Sequence, residues 1–272
     1  MEANGIVHVL QQHVSYLRTF FDMEQITLKY YSSALHLVMK IEPFDQGFSF
    51  FFPRYAYARR FVDFIKRLLP FESWCNCYDS KTILSVEIAP ICRDDLIYLP
   101  PNVASTLENI GPIVICTKVK RSITLLDPFT LKHRLLRDCE YWREPFSYLF
   151  TSEQLVKYVV INVDEVHSSE MVTIDGTEYG SSNVEIARVE DFGKNDTRFK
   201  IKTHLGNLLK AGDYALGYDL FGINDLPPVI LIKKTSYQDE MDSEYQLFLR
   251  DLQQQNPILR LKKHPRDGSL HT

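Results

Sequence analysis

After Thr82 the chain is broken into apolar runs too short to be helices, each closed by residues that favour turns. They read "TILSVEIAP", "DLIYLPP", "GPIVICTKV", "SITLLDP" and "LKHRLL", then "KYVVINVDEV", "VEIARVED", "RFKIKT", "DYALGYDL" and "PVILIKK". Short runs rich in β-branched residues and spaced by Gly, Pro, Asp and Asn specify strands and tight connections, which confines this part of the chain to small barrels or sandwiches. In the first group, "IVICTKVKRSITLLDP" reads as a hairpin that turns at residues 120–122.

The second group has a definite order. Three strands are followed by "HLGNLLKAG", which reads as a short helix with Thr203 as its N-cap, and then by two more strands. That order is the one found in an OB-fold, a five-stranded barrel. The helix is expected to plug one end through Leu205, Leu208 and Leu209 and to stop at Gly212. Along residues 213–220, Tyr214, Leu216, Tyr218 and Leu220 share one side of a strand, while Ala215, Gly217 and Asp219 leave the other nearly bare. The large side is expected to fill the barrel, and the bare side to meet another backbone or a partner.

Before Pro70 the pattern differs. Apolar residues at helical spacing over residues 13–31 predict an amphipathic helix, and "LHLVMKI" and "GFSFFF" predict two strands around an "EPFDQ" turn. "RYAYARRFVDFIKRLL" predicts a second helix with Ala58, Phe61, Ile65 and Leu68 inward. The fold class is therefore α+β, with an α+β domain over 1–83, an SH3-like barrel over 84–150, an OB-fold over 151–235 and a polar tail, partly helical or disordered, over 236–272.

The function classes excluded by the residues are broad. A formal net charge of -4 in 272 residues gives no global attraction for nucleic acid, so any RNA contact must be local. Five cysteines without a Cys-x-x-Cys pair predict reduced thiols; Cys75 and Cys77 lack the second pair that a zinc site needs. No stretch reaches the length of a membrane span and no signal-peptide pattern opens the chain, so no membrane partner is expected. There is no phosphate loop, dinucleotide fingerprint, metalloprotease helix or nucleophile elbow, and no enzyme activity, cofactor or metal is predicted. Asp127 with His133 reads as a turn and a surface histidine, His204 as a surface residue near a helix start, and the "RDD" of Arg93 to Asp95 as a solvated turn.

The positive signals are basic. Arg198, Lys200 and Lys202 alternate with Phe199 and Ile201, so three cations share one strand face where phosphates could be met. Arg59 and Lys66, with Arg60 and Arg67, form a second patch on the predicted helix. Lys118, Lys120 and Arg121 sit at a hairpin tip.

Several long blocks occur in order: "LSVEIAPICRDDLIYLPP", "GPIVICTKVKRSITLLDPFTL", "YWREPF", "EQLVKYVV", "VEDFGKNDTRFKIKTHLGNLLKAGDYALGYDLFGIN" and "VILIKK". Together they closely resemble the nonsense-mediated-decay-protein-3 family, adaptors that export the 60S ribosomal subunit from the nucleus, and look nearest to plant members. The resemblance runs from about Val7 to Leu252. It implies an N-terminal domain similar to a large-subunit ribosomal protein, then SH3-like and OB barrels like those of the hypusine-bearing translation factor. It also implies a place on the joining face of the pre-60S particle, with rRNA and ribosomal proteins as partners, and residence in cytoplasm and nucleus. The family's N-terminal Cys-x-x-Cys zinc pairs, basic localisation stretch and leucine-rich export signal have no counterpart in this sequence, so a truncated member is expected, with exportin an unsupported partner. Two alternatives follow: a truncated duplicate without export activity, and a free single-stranded nucleic-acid-binding OB protein that would need aromatic platforms, for which Tyr179 and Phe192 are the candidates.

Overall fold

The computed structural model describes residues 5–10, 37–44, 47–78, 81–164, 171–174, 176–195, 197–223 and 226–235. The helix expected over residues 13–31 and the tail from 236 onward lie outside them. The first five-stranded sheet has the order β2-β3-β1-β5-β4, from β1 (Gly5–Leu10), β2 (Lys40–Phe44), β3 (Gly47–Phe52), β4 (Phe71–Tyr78) and β5 (Lys81–Ile88). The central β1 pairs antiparallel with β3 and parallel with β5. Strand β2 begins at Lys40 and runs through the expected turn to Phe44; Pro43 is tolerated because β2 is an edge strand. Neither β1 nor β4 was legible from the sequence.

Helix α1 (Tyr55–Leu68) covers this sheet. Ala58, Phe61 and Ile65 are buried against Val7, Val9, Phe50, Phe52 and Val86, and the Phe61 ring lies 4.7 Å from Phe50 and 5.5 Å from Phe52. Lys66 and Arg67 in its last turn complement the helix dipole, and Pro70 forbids continuation. Strand β5 belongs wholly to this sheet, so the division expected at 83/84 cuts a strand. Leu84, Val86 and Ile88 pack in the first core rather than in a barrel.

A second, four-stranded sheet has the order β6-β7-β8-β9, from β6 (Leu96–Tyr98), β7 (Ile113–Val119), β8 (Ser122–Leu126) and β9 (His133–Arg137). With the short helices α2 (Pro101–Thr106) and α3 (Asp138–Tyr141) it encloses a core containing Ile97, Leu99, Val114, Ile123, Leu125, Leu136 and Tyr141. The β7–β8 hairpin turns where expected, the Lys120 N–H donating to the Ser122 carbonyl at 3.0 Å. Val119 packs against both this core and the first one.

The third sheet has the order β14-β13-β10-β15-β16, from β10 (Val156–Val163), β13 (Ser182–Arg188), β14 (Phe199–Thr203), β15 (Tyr214–Asp219) and β16 (Val229–Thr235). It curls so that its edge strands β14 and β16 approach one another, as in the partly open OB barrel. A small hairpin, β11 (Met171–Ile174) and β12 (Thr177–Gly180), lies between β10 and β13.

Two expectations fail in this unit. The helix over residues 204–212 is instead a pair of tight turns. The His204 carbonyl, which a helix would bond to the Leu208 N–H, instead accepts from the Gly180 N–H, and the Gly206 N–H donates to the Gly180 carbonyl. Leu205 and Leu209 still close the core, in one isolated turn where the Leu208 and Leu209 N–H groups both donate to the Leu205 carbonyl.

The faces of β15 are also reversed. Ala215 is fully buried among Val160, Ile186, Ile201 and Leu231, Tyr214 is exposed, and Tyr218 and Leu220 face out of the barrel. The bare side lines the interior because β16 comes so close. A Cβ on Gly217 would stand 2.8 Å from the Ile230 carbonyl oxygen and 3.1 Å from the Leu231 Cα. Backbone at that distance cannot step aside, so Gly217→Ala should destabilise the protein by about 1–3 kcal/mol. The check is a lower urea midpoint with an unchanged m-value.

Candidate functional site

Strand β14 alternates strictly. Phe199, Ile201 and Thr203 are buried in the barrel, and Lys200 and Lys202 are exposed, with Arg198 exposed just before the strand. The period-two pleat therefore lines three cations along the outer wall of an edge strand. Across the ladder, Lys200 stands opposite Glu185 and Lys202 opposite the neutral Asn183. Glu185 also accepts a 3.5 Å hydrogen bond from Arg198, so one carboxylate stands among three cations and the wall keeps an excess of positive charge.

The remaining predicted cations are elsewhere. Arg59, Arg60, Lys66 and Arg67 are exposed on α1, in the first unit. Lys118 is half-buried in β7, while Lys120 and Arg121 are exposed at the hairpin tip, beside the first sheet through the double packing of Val119. The structure thus brings Arg198, Lys200 and Lys202 onto one face, and leaves the α1 patch and the hairpin tip on separate elements.

The "RDD" segment is not a solvated turn. Only Arg93 is well exposed; Asp95 is 1% exposed. Asp94 adopts φ +73°, a left-handed conformation that Asp tolerates better than most residues, and this turns its polar groups toward the OB barrel. Its carbonyl accepts a 2.8 Å hydrogen bond from the Tyr218 hydroxyl, and its carboxylate pairs with Lys233 at 2.6 Å. Around it Leu96, Ile113 and Ile115 of one barrel pack with Tyr218, Leu220, Ile230 and Ile232 of the other. The Tyr and Leu side of β15 is therefore a seam between two barrels.

Asp95 sits behind this seam. Its Oδ2 accepts from the Cys92 N–H at 2.7 Å, while Oδ1 has no partner among the described residues. Burial, with a smaller contribution from neighbouring Asp94, pushes its pKa up to about 7 against the opposing hydrogen bond from the Cys92 N–H.

His204 is likewise not a surface residue. It is 1% exposed, with the Tyr179 ring tilted against it at 5.3 Å between centres, and burial lowers its pKa to about 4, so the ring is neutral at pH 7. Asp127 behaves as the turn-former expected, accepting from the Phe129 and Thr130 N–H groups and from the Thr130 hydroxyl at 2.6 Å.

A cleft of about 210 Å³ opens between the two barrels, bordered by Arg93, Asp94, Thr117, Tyr179, Lys233 and Lys234. Both lysines are already engaged, Lys233 with Asp94 and Lys234 with Asp213, each at 2.6 Å. The β14 wall is the stronger candidate for anion contact. Sequence reasoning missed the seam because a strand with large residues on one side and small ones on the other was assigned a single buried face. Exchanging the faces also satisfies the same pattern.

Comparison with known proteins agrees with this architecture. Residues 91–137 match the NMD3 SH3 domain and residues 155–234 the NMD3 OB-fold domain. Over 256 residues the chain is 34% identical to the 60S ribosomal export protein NMD3 of Dictyostelium discoideum, a match covering 85% of this chain and 47% of that protein. It is 32% identical over 248 residues to that of Saccharomyces cerevisiae (83% and 46%), and 29% identical over 311 residues to that of Mus musculus (96% and 61%). The chain spans about half the length of the curated relatives it matches.

Proposed function

Because this chain carries the SH3 and OB-fold domains of the NMD3 family, we propose that it is a binding protein of the 60S ribosomal subunit, acting in nuclear export of that particle. The relatives' name, 60S ribosomal export protein, supplies the biological setting. The observation that carries the reading is the β14 wall, whose cations project outward because their neighbours are locked into the barrel core. Such a row meets a phosphate backbone without needing a catalytic group. The Arg59 and Lys66 patch and the tip formed by Lys118, Lys120 and Arg121 are proposed as further contacts. We place the chain's working position on the subunit's joining face, with rRNA and ribosomal proteins as partners and with residence in nucleus and cytoplasm. The first unit is read as an α+β domain similar to a large-subunit ribosomal protein, ahead of the SH3-like and OB units, with the third division near 235/236.

The test is sedimentation with purified 60S subunits at low and moderate salt. Replacing Arg198, Lys200 and Lys202 together by glutamine should weaken comigration about tenfold or more, and wild-type binding should fall steeply as salt rises. Unchanged comigration of the triple variant at both salts would move the contact away from β14.

A further inference from the structure

The cleft between the SH3-like and OB barrels is walled by apolar residues from both sides, Ile115 from one barrel and Leu205, Leu208 and Ile232 from the other. Its volume of about 210 Å³ lies below the roughly 300–1,000 Å³ of pockets that take larger ligands. That is room for a single heterocycle.

His204 borders this cleft, and its hydrogen-bonding state is fully defined. The neutral ring is 1% exposed and bonds the Ile232 carbonyl, while Nδ1 has no partner among the described residues. A carbonyl only accepts, so the ring N–H that meets it is on Nε2, and Nδ1 is a bare acceptor. A buried acceptor of this kind is costly unless a donor reaches it.

The mouth of the cleft is positive. Among the described residues that border it, Arg93, Lys233 and Lys234 stand against one carboxylate, Asp94, and the Asp213 that pairs with Lys234 lies beyond them. Asp94 serves two cations, Lys233 at 2.6 Å and Arg93 at 3.7 Å, which leaves one positive charge over. Arg93 is the more open of the two, with 76% of its side chain exposed. Glu178 lies between Thr177 and Tyr179 in β12, so the pleat turns it away from the cleft that those two border.

An apolar slot with an acceptor in its wall and a cation at its mouth is complementary to a flat ring that carries an amino group and is followed by a phosphate. We propose that the cleft takes a single unpaired nucleotide of RNA, with its amino-bearing base between the apolar walls and facing His204, and its phosphate at Arg93. The proposal rests on the ribosome-binding reading only in taking RNA, rather than a free nucleotide, as the source. Uracil fits poorly, because it has no amino group and its ring N–H is recessed between two carbonyl oxygens.

The experiment titrates the full chain with short single-stranded oligoadenylate, with oligouridylate and with adenosine monophosphate. Oligoadenylate should bind about tenfold more tightly than oligouridylate, the worth of one hydrogen bond to a buried acceptor. Arg93→Gln should weaken oligoadenylate about fivefold, and His204→Phe should abolish the preference. Should the His204 variant fail to fold, Leu208→Trp fills the cleft from a half-buried position and must abolish the preference as well. Replacing the three β14 cations should weaken both oligonucleotides alike, because that wall meets phosphates and no base. A preference that is absent from the wild type, or that survives Leu208→Trp, overturns the proposal, and adenosine monophosphate binding as tightly as oligoadenylate overturns RNA as the source. If the wild type fails to comigrate with 60S subunits while the adenylate preference still requires an open cleft, the ribosome reading falls and the nucleotide site stands.

Discussion

Tyr218→Ala should lower the unfolding free energy by about 3–5 kcal/mol, whereas Tyr218→Phe should cost only about 1 kcal/mol. The side chain is 1% exposed, stacks on Phe150 with 5.7 Å between ring centres and 30° between ring planes, and reaches across the seam to the Asp94 carbonyl. Truncation removes an aromatic ring from a site bounded on both sides by packed strands, so the space cannot close cheaply. The phenylalanine variant keeps the ring and loses one neutral hydrogen bond. Because the ring contributes to the contact between two barrels, the alanine variant should also unfold in two resolvable stages under urea, where wild type unfolds the pair together. A single cooperative transition with a small midpoint shift would show that the ring does not couple them.

The second large effect depends on pH. Asp95→Asn should leave stability unchanged near pH 4 and raise it by about 1–4 kcal/mol at pH 8. In the folded protein Asp95 keeps its proton up to about pH 7, whereas in the unfolded chain the carboxyl ionises near its ordinary value of about 3.9. Between those values the folded state binds a proton that the unfolded state has released, so wild-type stability declines as pH rises through this window and levels off above it. Asparagine cannot ionise and escapes that decline. Its side-chain oxygen can still accept from the Cys92 N–H. Denaturation curves at pH 4 and pH 8 are sufficient, and parallel profiles for the two proteins would refute the assignment.

The strands of the SH3 and OB units were legible in the sequence because they are short, alternating and separated by turn residues, which leaves few other uses for them. The β14 cations were legible for the same reason, since a period of two fixes which residues point together. What the sequence concealed was long-range. Strand β1 is an unremarkable apolar hexamer until β3 and β5 pair with it on either side. Nothing local in "HLGNLLKAG" signals that the Gly180 N–H will take the His204 carbonyl. Asp95 and His204 looked like surface residues because their types usually are, and only the packing of distant strands buries them. Of the two aromatic platform candidates, Phe192 is exposed, whereas Tyr179 lies against the buried His204.

Strand β15 acts as a party wall, with one building's interior on the side of Ala215 and Gly217 and a neighbour's plaster on the side of Tyr218 and Leu220. Neither structure can be demolished alone without leaving an oily scar on the survivor. The two barrels must therefore be inherited as a pair, and changes at Leu96, Ile113 or Ile115 will be tolerated when matched by changes at Tyr218, Ile230 or Ile232.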